Sequence, residues 1–422
     1  MTILTRVALL LVKLEGTPGV DAQPDVQDAI LVEEAEYNIE PTFLKRNFST
    51  GDLSPQAGVV GRKLARMSFK VELKGNGKQK SGLIADAPKL GRLLRVCGYR
   101  ETALNSAASR VGAVVVDDQN EATAPVVGWV GGGAPAAGLA RCALFTLQVT
   151  TGGPSGTAQV RITNNNPAGA GPAQNGVVVT SGQPVALGTT GATVTPTWAG
   201  ALVADDVYRV LVTPRGIAYD PLTVGVPTAT CYLYLDGLLH KMPNAQGSFS
   251  MTAEAGGYGT FEFELTGQYV KPVDEPVPAG PSFDITVPSQ IELANLTFES
   301  DNSLIVGGWS YEQSNELSPR IDVNSPDGYA GVRITDRDPK GGFSPEATLV
   351  GEHDFWGAFG EGRRCLFFAN AGVEPGNTVA MYGPQCQVSD MPYSDRDGIR
   401  THDMSFGFKR HKGDDEVRFL FV

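Results

Sequence analysis

Hydrophobic and polar residues alternate with a period of two from Cys231 to Pro272. Tyr232, Tyr234 and Leu238 flank an Asp236-Gly237 turn, and Phe249 and Met251 alternate with Ser250 and Thr252. Phe261, Phe263 and Leu265 then alternate with Glu262, Glu264 and Thr266. Successive strand residues point to opposite faces, so the pattern predicts three antiparallel strands of a half-buried sheet, aromatic on one face and polar on the other. The arrangement returns at the C-terminus in Val379–Tyr382, Met404–Phe408 and Glu416–Val422, in the same order and at similar spacing. One fold carried twice is the expectation.

Earlier in the chain, the apolar run Val7–Val12 is shorter than the roughly 20 residues of a membrane span. Lys13 and Glu15 follow it without a small-residue cleavage site, so it reads as a folded segment of a protein made in a cytoplasm rather than a signal peptide. From Glu40 to Gly61 the chain is polar and broken by Pro41, Gly51, Pro55 and Gly58, which predicts a long loop. Phe43, Leu44 and Phe48 lie in it with no obvious local core, and long loops in compact domains are usually functional. Arg66–Leu73 alternates as a strand. A helix is then predicted with Asp86 as N-cap, Pro88 in the first turn, Leu90, Leu93, Leu94 and Cys97 on one face and Gly98 at its end. In the second half His353–Phe359 takes the corresponding place, with Phe355 and Phe359 at i, i+4. Leu53-Ser-Pro55 and Leu317-Ser-Pro319 echo each other, and so do the turns Lys74-Gly-Asn-Gly77 and Lys340-Gly-Gly342.

Composition changes after Glu121. Until Gly216 the only charged residues are Arg141, Arg161, Asp205, Asp206, Arg209 and Arg215, and short strand signals recur between Gly, Pro and Asn turns. This predicts a β-sandwich of immunoglobulin size, inserted where the parent fold's chain ends lie close together. The expected organisation is therefore a mainly β (α+β) chain. Residues 1–120 and 217–272 form a first domain around an inserted sandwich at 121–216, residues 273–290 are a Pro-rich linker, and residues 291–422 form a second domain. The 422-residue length also exceeds what one hydrophobic core usually serves.

A net charge of −12 argues against a protein that grips nucleic acid through phosphate contacts. The five cysteines form no CxxC pair or Cys/His box and read as buried thiols, and the four histidines have no ligand-like spacing and read as surface or turn residues. Asp322–Gly328 and Asp395–Gly398 lack the bidentate Glu of a calcium loop and read as polar turns. No catalytic constellation, metal site or cofactor motif emerges.

The order strand, long loop, strand, Gly-rich turn, helix and hairpin, seen from Tyr37 to Tyr99 with Cys231 to Val270 and again from Leu293 to Val422, resembles the tail tube proteins of long-tailed bacteriophages. The resemblance implies two tandem tail-tube-like domains, each with one helix, in a structural virion protein that is not an enzyme. It also implies rings whose strands form a continuous β-barrel around a channel for genome ejection, with the long loop touching the next ring. A duplicated fold implies homotrimeric, pseudo-hexameric rings, and the inserted immunoglobulin-like domain an external decoration. Partners implied are further copies of the chain and tape measure, terminator and distal tail proteins, with DNA passing through unbound and no membrane involved. On this reading Glu262 and Glu264 face the lumen, with Arg418 at the matching place in the second half, and Phe43, Leu44 and Phe48 contact the adjacent ring. The residues also leave open a secreted or surface carbohydrate-binding or adhesin protein, and a phage baseplate or terminator protein.

Overall fold

The computed structural model is mainly β and describes residues 7–46, 48–49, 54, 56–75, 87–121, 128–133, 135, 139–299 and 304–422. The first part contains β1 (Ala8–Leu14), β2 (Glu33–Leu44), β3 (Val59–Glu72), α1 (Gly91–Val96) and β4 (Tyr99–Ala103). After the low-charge region come β5 (Ile217–Pro221), β6 (Ala229–Leu235), β7 (Leu238–Glu254) and β8 (Thr260–Gln268). The remainder supplies β9 (Val306–Glu312), β10 (Asn315–Ile321), β11 (Tyr329–Arg337), β12 (Lys340–Pro345) and α2 (Phe355–Gly360), then β13 (Arg364–Ala371) and β14 (Val379–Asp390). The hairpin β15 (Tyr393–Arg396) and β16 (Ile399–His402) precedes β17 (Met404–Phe408) and β18 (Arg418–Phe421).

β1 lies between β6 and Ala29–Ile30, and Leu9 to Val12 are buried, which explains an unbroken apolar run in place of alternation. β6 and β7 turn at Asp236 (φ 43°) and Gly237 (φ 95°), the pair of positive dihedrals a tight hairpin needs. β7 then bends at Asn244 (φ 55°), pairing with β6 before the bend and with β8 after it.

In the first part β2 pairs with β3, β3 with β8, and β8 with β7. In the second, β9 and β10 pair with β12 and β11, β12 with β17, β17 with β14, and β14 with β13. The parts are joined strand to strand: Ser250–Glu254 of β7 pair with Gly308–Glu312 of β9, and β18 lies between β14 and β5. Length alone favours separate cores, yet one hydrophobic cluster serves both parts. Phe419 is its hub, with ring centroids 5.7 Å from Tyr99, 5.8 Å from Phe249, 6.1 Å from Phe261 and 5.1 Å from Tyr311. Edge-to-edge pairing lets the aromatic faces of both parts close over the same interior.

The low-charge region has its own core, running from Val111 to Val212. Its first residues lie before the expected boundary at 121, because Val115–Val116 pairs with Tyr208 and Arg209. That strand is too short to register as a pattern. Both ends of the region emerge from the β4–β5 hairpin, where Ala103 pairs with Ile217 and the Leu104 amide donates to the Gly216 carbonyl at 2.8 Å. The region is also no loose appendage. Its Cys142, Leu144 and Leu211 pack on Leu366, Phe368, Ala380, Tyr382, Leu420 and Val422, and Asn165 Nδ2 donates to Thr297 Oγ1 at 3.1 Å.

Both helices are shorter than expected. α1 starts at Gly91 behind Leu90, with no side-chain cap; Asp86 lies outside the described residues. Leu90, Leu93, Leu94 and Cys97 are buried, and Gly98 (φ 93°) ends the turn. α2 buries Phe355 and Ala358, whereas Phe359 is exposed, so the i, i+4 pair does not share the core face. Asp354 caps α2, its Oδ1 accepting from the Gly357 amide at 2.8 Å.

Candidate assembly surfaces

The sheet face opposite the core is polar and continuous across both parts. Residues paired across antiparallel strands share a face, so the register defines rows. One row runs Lys70, Glu262, Ser250, Glu312, Lys340, Gly407 and Gln387. The next runs Glu72, Thr260, Thr252, Ser310, Gly342 and Ser405. A third joins Glu36, Ser68, Glu264 and Ser248.

Glu262 and Glu264 thus lie together on this face, exposed, while Phe261, Phe263 and Leu265 join the cluster that holds Leu90 and Leu94. Glu264 is ion-paired, and Glu262 lies across the strands from Lys70. Arg66 spans Glu264 at 2.8 Å and Glu40 at 3.1 Å, and Lys70 holds Glu34 at 2.6 Å. Arg418 lies elsewhere, paired with Asp220 at 2.5 Å and opposite Tyr382 on the side covered by the low-charge region. The strand that pairs with β14 as β8 pairs with β7 is β17, whose residues on the polar face are Ser405 and Gly407.

The stretch from Glu40 to Gly61, expected as a loop, is strand at both its ends. β2 continues to Leu44 and β3 begins at Val59, forming a two-stranded arm beyond the core, with Phe43 opposite Val60 and Leu44 opposite Val59. Bulges at Glu33/Glu36 and Pro41/Phe43 twist it. Both faces of the arm are solvated, so the alternation that marks a half-buried strand is missing. Phe43 is 66%, Leu44 55% and Phe48 61% exposed. β10 and β11 form a second, shorter arm, whose Ile321 and Val323 are exposed.

Two of the open strand edges among the described residues flank the sheet that carries these rows. β2 pairs only with β3, leaving the outer edge of a long strand free, and Val388–Asp390 pair only with β17. Unpaired edges of this kind template pairing with another chain.

Other candidate chemistry resolves into structure. All five cysteines are free and buried, and burial pushes the Cys142 and Cys231 thiols up to about 12. Such thiols are poor nucleophiles. His353 and His402 are buried, against the expectation of surface positions: Phe298 and the neighbouring Phe355 close around His353, and Trp356 and the hairpin partner Tyr393 around His402. His240 packs against Tyr37, ring centroids 4.3 Å apart and tilted by 37°. Asp322 and Asp395 accept hydrogen bonds from Asn324 and Gly398 amides within their own turns. Among the described residues no group of three His, Cys, Asp or Glu is placed to hold a metal ion, and no helix is long and apolar enough to cross a membrane. No known protein family matches this sequence, and no curated protein is similar to it.

Proposed function

We propose that the chain is a duplicated tail tube subunit of a long-tailed bacteriophage, assembled in the host cytoplasm, with an inserted immunoglobulin-like sandwich. Three copies close into a pseudo-hexameric ring, and stacked rings form the channel for DNA. The observation that carries this reading is the set of polar rows crossing from one part of the chain to the other without a break, on a sheet in which β2 and the Val388–Asp390 segment of β14 each keep an open edge.

The pairing order supports the duplication. β2/β3 correspond to β9–β10/β11–β12, α1 to α2, β6/β7 to β13/β14, and β8 to β17. On that correspondence Phe249 matches Val388, since each lies opposite the middle apolar residue of its partner strand. Glu36 matches Glu312, since Ser68 and Lys340 join them to Glu264 and Gly407. The β7–β9 junction inside one chain is then the template for the junction between copies. The Ser389–Asp390 edge of one copy receives Glu36 of the next, and three such junctions leave no free edge in the wall.

The face this wall turns inward carries Glu36, Glu72, Glu254, Glu262, Glu264 and Glu312 against Arg66, Lys70 and Lys340, amid serine and threonine. A net acidic lining repels phosphates within about 8 Å at physiological salt, which keeps passing DNA from sticking. The test is the mass of isolated rings, combined with thiol labelling of Glu264→Cys in assembled tubes. Three chains per ring are expected, with the bulky reagent reaching only tube ends. Six chains per ring, a stable monomer at high concentration, or equal labelling by small and bulky reagents would each defeat the proposal.

A further inference from the structure

The two ends of the sheet carry matching apolar surfaces of opposite charge. At the arm end, Ile39, Phe43, Leu44, Phe48, Val59 and Val60 are all more than 40% exposed. An isolated two-stranded ribbon is marginal in water, so this tip lacks a packing partner. Its flanks are basic: Lys45 and Arg46 are exposed, and the Arg46 guanidinium lies 5.0 Å over the Phe48 ring.

At the opposite end, the connections leaving β12 and β14 build a second surface. The Glu346–Thr401 bridge ties the β15–β16 hairpin to the segment that leads into α2. Trp356 meets Tyr393 at 5.9 Å, Tyr393 stacks on His402 at 4.8 Å, and the Arg400 guanidinium lies 4.9 Å over Tyr393. On the same segments Leu349 is 76%, Val350 58%, Ile399 49% and Phe359 42% exposed. The exposed charges on these segments are the carboxylates Glu352, Glu361, Asp395 and Asp397 against Arg364 and Arg400; Glu361 pairs with Arg363 at 3.2 Å and Arg364 with Asp118, which leaves the rim acidic on balance. A contiguous apolar patch with a charged rim marks a site of association. In the first part β7 and β8 are joined only by the short turn between Glu254 and Thr260, with no such hairpin.

We infer that this patch is the acceptor for the β2–β3 arm of a second copy of the chain. Apolar tip meets aromatic patch, and Lys45 and Arg46 meet the acidic rim, so arm and acceptor attract where arm and arm repel. A contact between different surfaces of identical chains closes into a ring or propagates, according to its rotation; arm and acceptor lie at opposite ends of the strands, so this one sets copies in line along the strand direction and propagates. Because the arm belongs to the first part and the acceptor to the second, unlike parts stack on each other from layer to layer. The inference rests on the polymerising subunit proposed above and adds the surface that receives the arm.

The test mixes differently tagged Phe43→Cys and Leu349→Cys chains, lets them polymerise, and treats them with a short bis-maleimide. Both residues are exposed and the native cysteines are buried, so unchanged melting confirms that each variant folds. A mixed-tag covalent dimer, absent when either variant is treated alone, is the expected result. Polymer without mixed dimer, or a dimer from Phe43→Cys alone, overturns the acceptor and leaves the tube reading standing. Mixed dimers in filaments that lack rings support the acceptor and defeat the ring. Monomers without cross-links defeat both.

Discussion

Removing the low-charge region tests whether it is decoration or wall. Its ends emerge from paired strands, so residues 107–213 can be replaced by a short Gly/Ser turn joining β4 to β5 without stretching the hairpin. The excision uncovers Leu366, Phe368, Leu420 and Val422, each at most 3% exposed in the intact chain. Burying a side chain of this size contributes about 1.5–3 kcal/mol. If half of that comes from the region's cover, the loss is about 3–6 kcal/mol, a large share of the roughly 5–15 kcal/mol that holds a folded domain. An unfolding entropy of about 2.1 cal/mol/K per residue over the roughly 315 residues that remain gives about 1.5 °C per kcal/mol, so melting should fall by at least about 4 °C. The excised chain should also bind an apolar dye and be more prone to aggregate. Differential scanning calorimetry with dye titration reads both effects. Melting within about 2 °C of the intact protein, with no new dye binding, would show that the contact contributes little and that the region is an ornament after all.

Two further predictions follow from the same packing. Phe419→Ala should cost about 3–5 kcal/mol, and because the ring touches both parts, urea unfolding should stay a single transition shifted to lower denaturant; two separated transitions would contradict a shared core. Burial pulls the His240 and His402 pKa values below their ordinary range, so the folded chain prefers them neutral. The stability this contributes is present above the unfolded-state pKa of about 6.5 and is lost as pH falls through the lower folded values. Between pH 7.5 and 5 the wild type should therefore lose more thermal stability than His402→Phe, and parallel curves would refute the role of the buried ring.

What could be read from the sequence was whatever had one wet face and one dry face. β8 alternates cleanly because Phe261, Phe263 and Leu265 enter the core while Glu262 and Glu264 stay in water. The arm escaped because both of its faces are wet, and Pro41 on its open edge imitates a loop. The docking of the low-charge region had a signal that alternation hides. Phe145 and Leu147 face its own core while Leu144 faces the other way, and Val210, Leu211 and Val212 are all buried. Consecutive apolar residues in a short strand mark burial on both faces. The burial of His402 had no local signal, since the rings around it come from α2 and β15.

The outer surfaces of the two parts are finished by different means. Against β1 and β6, the apolar patch of Leu9, Leu11, Tyr232, Tyr234 and Leu239 is covered by Val277 and Phe283 of the Pro-rich segment, with the Tyr232 and Tyr234 hydroxyls bonded to Asp21 and Glu275. Against β13 and β14, Leu366, Phe368, Ala380 and Tyr382 are covered by the low-charge region. On the opposite, polar face no such difference appears, and hydroxyls and paired charges continue from row to row across the junction. The wall proposed above, built from alternating halves, demands this asymmetry of constraint. Every half must present the same edges and the same inner chemistry to its neighbours, because each junction repeats the last. The outside meets only what the chain itself lays over it, and there the halves are free to diverge.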